Sequence, residues 1–279
     1  MVRALLNFAG LLKASRRSLK TKIIVVTLAI FVAGIWSLTF YATRNLRSDM
    51  VHLLGEQQFS TVTLVANQVN HELADRIRSL EEVAYQARPA MQAGPAAMQA
   101  HLERWRDIYE LFNGGTFATG ADGVAIAAVP TMLARTGVSY RDRDYVQIVL
   151  SEGRTVISGP IIGRVLKVPL IVIAVPLRNA TGQTVGVLAG VINMQENNFL
   201  DRIAENQYGE TGGYLLVVPE RRLVVTATDK SRVMESLPPE GKFELLDRFI
   251  QGFEGYGIAV NHHGQETLAS AKGVPIAGW

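Results

Sequence analysis

The chain contains no cysteine, which excludes disulfide scaffolds, thiolate zinc sites and thiol catalysis. Charge is also sparse: 19% of the 279 residues are Asp, Glu, Lys or Arg, against 48% hydrophobic. With a net charge of only +3, that balance excludes general disorder. Acid is missing from residues 1–22, where Arg3, Lys13, Arg16, Arg17, Lys20 and Lys22 stand. Setting those six aside leaves 22 basic against 25 acidic side chains, so residues 23–279 are mildly acidic. The pI of about 9.2 is therefore a terminal feature and not the footprint of a nucleic-acid-binding face. Catalytic signatures are missing too. There is no G-x-S-x-G, no phosphate-binding glycine loop and no paired-carboxylate motif. His52, His71 and His101 lack zincin spacing, and His262-His263 reads as a solvated hairpin turn. Neither an enzyme nor a metal or cofactor site is expected.

Residues 23–42, IIVVTLAIFVAGIWSLTFYA, carry no charge at all. A helix of that length spans about 30 Å, the thickness of a bilayer's hydrocarbon core. Trp36, Phe40 and Tyr41 sit toward its end, where aromatic rings favour the interface. The run is longer than a usual signal-peptide core, and no A-x-A cleavage site follows it. The basic residues before the span, against Arg44, Arg47 and Asp49 after it, place the N-terminus in the cytoplasm. The expectation is an inner-membrane anchor with residues 43–279 extracytoplasmic, or periplasmic.

Between Arg44 and Arg88 there is no proline, and Gly55 is the only glycine. Leu46, Met50, Leu53, Leu54, Phe59, Val62, Val65, Val69, Leu73, Ile77, Leu80 and Ala84 recur at steps of mostly three and four, the period of a long helix. Such a helix leaving a membrane span is a mechanical link, and a lone one needs lateral support, so a homodimer paired along it is expected. Pro89 and Gly94-Pro95 break the pattern, with a short helix near 96–111. The period then becomes that of strands: 115–118 and 124–129 around Asp122-Gly123, then a helix near 143–151 with Asp142 as its cap. Apolar stretches follow at 155–157, 170–176 and 185–191, the last two joined by the turn-rich 178–182. A smaller repeat of the plan follows: a helix at 198–207, strands at 214–218 and 223–228, a helix at 243–253, and strands at 258–261 and 266–271. Residues 277–279 read as a cut inside a strand. The pattern is α+β: a transmembrane helix, a long stalk helix and two PAS-like antiparallel-sheet modules in series.

Several stretches together resemble the double Cache (dCache) family of extracytoplasmic sensor domains. Tyr140-Arg141-Asp142-Arg143-Asp144-Tyr145 is similar to its R-x-[WY] element. Ile157-Ser158-Gly159-Pro160, Lys167-Val168-Pro169 and Ala174-Val175-Pro176-Leu177 resemble its proline-bearing strand run. Gly182 with Gly186-Val187-Leu188-Ala189-Gly190 resembles its central hairpin, and Thr211-Gly212-Gly213-Tyr214-Leu215 the start of its second module. The resemblance implies a ligand pocket in the membrane-distal module and signal transfer through the long helix to a cytoplasmic output module. No such module lies in this chain, so the sequence reads as part of a longer receptor or a truncated gene. The organisation expected is a basic leader at 1–22, a span at 23–42, a stalk at 43–88, a distal module at 89–195 and a proximal, truncated module at 196–279.

A sensor for small carboxylates or amino acids needs a fixed positive fork, aromatic walls and exclusion of water. Arg143 supplies a guanidinium able to hold a carboxylate through two parallel hydrogen bonds, and Tyr145 an aromatic wall with a hydroxyl. Tyr140 from the preceding loop and Lys167 from the opposite side complete the candidate set. The competing reading is a solvated ion-pair patch, because Asp142 and Asp144 flank Arg143. The family's amino-acid-binding branch carries Trp-Tyr after the arginine and a later Asp; here Tyr145-Val146 and Val191 stand there. A carboxylate clamp is retained and an ammonium partner is not evident, so organic acids are as well supported as amino acids. The alternative function is a periplasmic module that binds a protein partner and no small molecule.

Overall fold

The computed structural model describes residues 19–105, 108, 110–201, 212–260 and 264–279. The chain divides into two units, Met1–Gln57 and Gln58–Trp279. Helix α1 (Leu19–Gln86) contributes to both. Within the first unit its apolar side chains, among them Ile24, Ile30, Phe31 and Trp36, are exposed. Its most apolar 18-residue window has a mean hydropathy of 2.4, none of it buried, which is long and apolar enough to cross a membrane.

In the second unit α1 buries Val69, Leu73, Leu80 and Ala84 of the expected three-and-four spacing, together with Ala66 and Val83, which that spacing omits. Pro89 opens α2 (Arg88–Ala93), and Gly94 at φ 101 ends it. Pro95 opens α3 (Pro95–Arg104), which stops short of the expected residue 111. A six-stranded antiparallel sheet follows, made of β1 (Thr116–Gly120), β2 (Ala125–Val129), β3 (Val156–Ile157), β4 (Ile161–Ile162), β5 (Pro169–Arg178) and β6 (Thr184–Asn193). Its order is β2-β1-β6-β5-β3, with β4 also paired to β5. The turn between β5 and β6 is tied by Asn179, whose Oδ1 accepts from the Thr181 and Gln183 amides at 3.0 and 2.9 Å.

Strand periodicity divides the interior in two. Ile171, Ile173, Val175 and Leu177 of β5 join Leu188 and Ile192 of β6 in the core shared with α1, α3 and Phe112. The alternate residues Leu170, Val172, Ala174, Val187, Ala189 and Val191 face a second core, with α4 (Asp144–Glu152). Gly190 is required on the first face, because a Cβ there would sit 2.4 Å from the Phe112 ring.

The later elements are β7 (Leu215–Val218), β8 (Leu223–Ala227), α5 (Glu244–Ile250), β9 (Gly255–Val260) and β10 (Glu266–Ala271). Among the described residues β7–β8 and β9–β10 form separate two-stranded ribbons and not one sheet. Gln58 on α1 donates to Leu268 O at 3.2 Å and accepts from Ser270 Oγ at 2.9 Å, fastening β10 to that helix. The architecture is α+β with antiparallel sheets. Residues 274–279 form hydrogen-bonded turns closed by Val274 and Trp279, not the strand expected from sequence. Of the helix expected at 198–207, residues 202–207 lie outside the described residues, as do His262 and His263.

Candidate ligand site

The second core opens into a cavity where β1, the 130–140 loop, α4, the β4–β5 hairpin and β6 converge. Phe117, Arg135, Tyr140, Arg143, Tyr145, Arg164 and Leu166 are among its lining residues. The pocket and its open mouth together hold about 310 Å³ not occupied by atoms, of which about 20 Å³ admits the centre of a water molecule. That is roughly room for one water.

Arg143 reaches the site because it is the N-cap residue of α4, held in extended backbone at φ −83, ψ 129. Its side chain stays half-exposed, and Nη2 donates to Ile162 O at 3.3 Å. Asp142 does not cap α4. Its carboxylate forms an ion pair with Arg164, whose Nη1 donates to Ser139 O at 3.0 Å. Arg143 stands at the cap position but its side chain, which has no acceptor, makes no capping hydrogen bond. Asp144, in the first helical turn, pairs instead with Arg221 at 2.9 Å.

Tyr140 and Tyr145 are buried, at 4% and 5% exposure. Tyr140 stacks on Phe117 with ring centroids 4.4 Å apart. Burial pushes both phenols above their ordinary pKa, outweighing the nearby arginines. Both therefore remain neutral hydroxyls at physiological pH.

Arg135 is 3% exposed. Its Nη2 donates to Gly114 O at 2.6 Å and its guanidinium carbon lies 5.5 Å from the Phe117 ring centre. Nη1 is buried with no hydrogen-bond partner. Burial lowers the pKa of this group, partly offset by Tyr140 and Tyr145. Gly115, at φ +81, makes room for the loop: a Cβ there would meet Val129 O at 2.5 Å and Arg135 Nη1 at 3.3 Å.

Three of the four residues singled out from sequence, Arg143, Tyr145 and Tyr140, line this one cavity. The fourth, Lys167, lies on the same hairpin as Arg164 but is exposed, at φ 56, outside the lining. Sequence reasoning missed Phe117, Arg135 and Arg164. Arg135 is the only charge between Gly123 and Tyr140, but that isolation alone does not mark it as a site residue. Among the described residues no Asp or Glu lines the cavity, and Val191 forms part of its β6 wall. Among the described residues no three His, Asp or Glu side chains are grouped to hold a metal ion.

The Cache domain family matches residues 47–279. No curated protein matches the chain. Among solved structures, the ligand-binding domain of the Pseudomonas aeruginosa amino acid chemoreceptor PctB in complex with L-Arg is similar at a TM-score of 0.59 and 23% identity, over 79% of this chain and 88% of that one. The corresponding domain of the Pseudomonas fluorescens chemoreceptor CtaA with L-serine gives 0.57 and 21%, over 80% and 89%. That of the Pseudomonas aeruginosa chemoreceptor PctC with GABA gives 0.56 and 18%, over 73% and 87%. The likeness is one of fold.

Proposed function

Because the chain belongs to the Cache domain family, we propose that it is the ligand-sensing part of a membrane-anchored receptor and that its ligand is a small carboxylate, an organic acid or an amino acid. The observation that carries this is the partly open cavity at which Arg143, Tyr140 and Tyr145 meet. Arg143 holds the carboxylate through its fork and the neutral phenols donate to it. The ligands named in the three structural neighbours share a carboxylate, which agrees with that chemistry. Lys167, beside the cavity, meets the ligand only if the hairpin moves.

In this reading the distal module spans residues 89–195 and the proximal one 196–279, with a leader at 1–22, the anchor at 23–42 in the inner membrane and the stalk at 43–88. The N-terminus is cytoplasmic and residues 43–279 extracytoplasmic. Space for about one water means that a ligand the size of an amino acid enters only when the 161–167 hairpin lifts. Binding is thereby tied to a conformational change, and the ligand shifts the equilibrium by its differential affinity for the two forms. The stalk carries that shift to the span, in a dimer paired along the helix where Leu46, Met50 and Leu53 are exposed. The module binds and signals without catalysis.

The test is thermal unfolding of the full chain in detergent against organic acids, amino acids and amines. A carboxylate at 100 times its Kd is expected to add about 2.7 kcal/mol of stability. Arg143→Ala is expected to abolish that gain. A folded sample stabilised by no member of the panel would sink the small-molecule reading in favour of a protein partner. A ligand that Arg143→Ala binds normally would move the site elsewhere.

A further inference from the structure

The charges around the cavity do not balance. Arg135, Arg143 and Arg164 line it, and among the described residues no carboxylate does. Arg164 is neutralised by Asp142, and Asp144 is engaged with Arg221. Arg143 has no acidic partner among the described residues, only the carbonyl of Ile162. Arg135 has none either: a backbone carbonyl and the face of Phe117 serve part of its guanidinium, and Nη1 is left buried and unpaired.

A buried guanidinium is costly, and it cannot escape the cost by losing its proton as a lysine does. Buried cations persist in proteins when a counter-charge completes them. Here none of the described residues supplies one, and the group borders a cavity next to a second uncommitted arginine. We infer that the cavity is built for a dianion, a short dicarboxylate with one carboxylate on the half-exposed Arg143 and the other on the buried Arg135. This rests on the reading of the cavity as the ligand site. The lowered pKa of Arg135 agrees with a cation lacking its counter-charge. A zwitterionic ligand would instead set its ammonium among arginines, with no acid to receive it.

The experiment is isothermal titration calorimetry on the full chain in detergent, at fixed ionic strength. Dicarboxylates of three to five carbons are compared with the monocarboxylate and the terminal amino acid of the same length; succinate, butyrate and 4-aminobutyrate form the central set. At least one dicarboxylate is expected to bind tenfold or more tighter than its monocarboxylate, with the amino acid weakest. Arg135→Met is expected to erase that preference while keeping monocarboxylate binding, and Arg143→Ala to weaken both. If Arg135→Met does not fold, as judged by its thermal transition, Arg135→Gln, which keeps hydrogen-bonding groups and removes the charge, replaces it. A reduced preference in that variant supports the inference and an unchanged one overturns it.

A monocarboxylate or amino acid that matches the dicarboxylates, with binding still lost in Arg143→Ala, overturns the dianion inference and leaves the sensor reading intact. Preference retained in Arg135→Met overturns it as well. If no carboxylate of any kind binds the wild-type chain, both fall together.

Discussion

Arg222 sits at φ 47, a backbone region that a non-glycine residue adopts at some cost, and its side chain accounts for the choice. Nε donates to Pro238 O at 2.8 Å and Nη2 to Asp247 Oδ1 at 2.8 Å, while Asp247 Oδ2 accepts from the Gly241 amide at 2.7 Å. The Gly241 amide first, and Arg222 second, hold the Asp247 carboxyl below its ordinary pKa. A depressed carboxylate pKa contributes stability that is present above the ordinary value, about 3.9, and is lost as pH falls through the lower folded-state value. Asp247→Asn is therefore expected to lower the thermal transition at neutral pH and to converge with wild type in acid. A transition gap that stays constant from neutral pH to acid would contradict this. At the same scale, Arg143, Tyr145 and Tyr140 were legible in sequence as a motif, whereas Arg135 was not. Its chemistry depends on being buried with an unpaired nitrogen, and burial is set by the loop that Gly115 admits, a tertiary fact that one isolated charge does not reveal.

At the scale of elements, α1 shows what an apolar period does and does not specify. The spacing from Leu46 to Ala84 predicts one helix, and one helix forms. Yet Leu46, Met50 and Leu53 are exposed, while Val69, Leu73 and Leu80 are buried, so the same pattern serves two surroundings. Leu80→Ala is expected to cost about 2–5 kcal/mol, and Leu64→Ala, at an exposed position, less than about 0.5 kcal/mol. Denaturant titration of the two variants checks this, and equal losses would refute the packing assigned to α1. Strands β5 and β6 were readable from their apolar runs and the turn between them. Strand β4 was not, because two residues carry no period. At α4 the sequence rule favours Asp142 as the cap, whereas in the structure the helix starts one residue later and Asp142 pairs with Arg164. The strands of the later ribbons lie near their expected places, but that they stay as two separate ribbons among the described residues is long-range information that local pattern does not hold.

For the whole molecule, the asymmetry of composition is the guiding fact: basic residues ahead of an exposed apolar helical stretch, and a mildly acidic remainder. The chain is expected to sediment with membranes and to resist extraction by high salt and by alkaline carbonate. Leu28→Arg combined with Val32→Arg is expected to release it, since each arginine at the centre of a span costs about 2.5–3.5 kcal/mol on insertion scales. Wild-type chain in the soluble fraction would refute the anchor. The two interior cores also differ in their chromophores. Trp105 and Trp279 pack with the α1 core, whereas the cavity is walled by Phe117, Tyr140 and Tyr145. With Trp36 of the apolar stretch replaced by Phe, tryptophan emission therefore follows the integrity of the α1 side, while the near-ultraviolet circular dichroism of the fixed Tyr140 and Tyr145 follows the cavity. A ligand that turns Tyr140 on Phe117 would alter the second signal and leave the first steady, so one sample distinguishes occupancy from unfolding by colour alone.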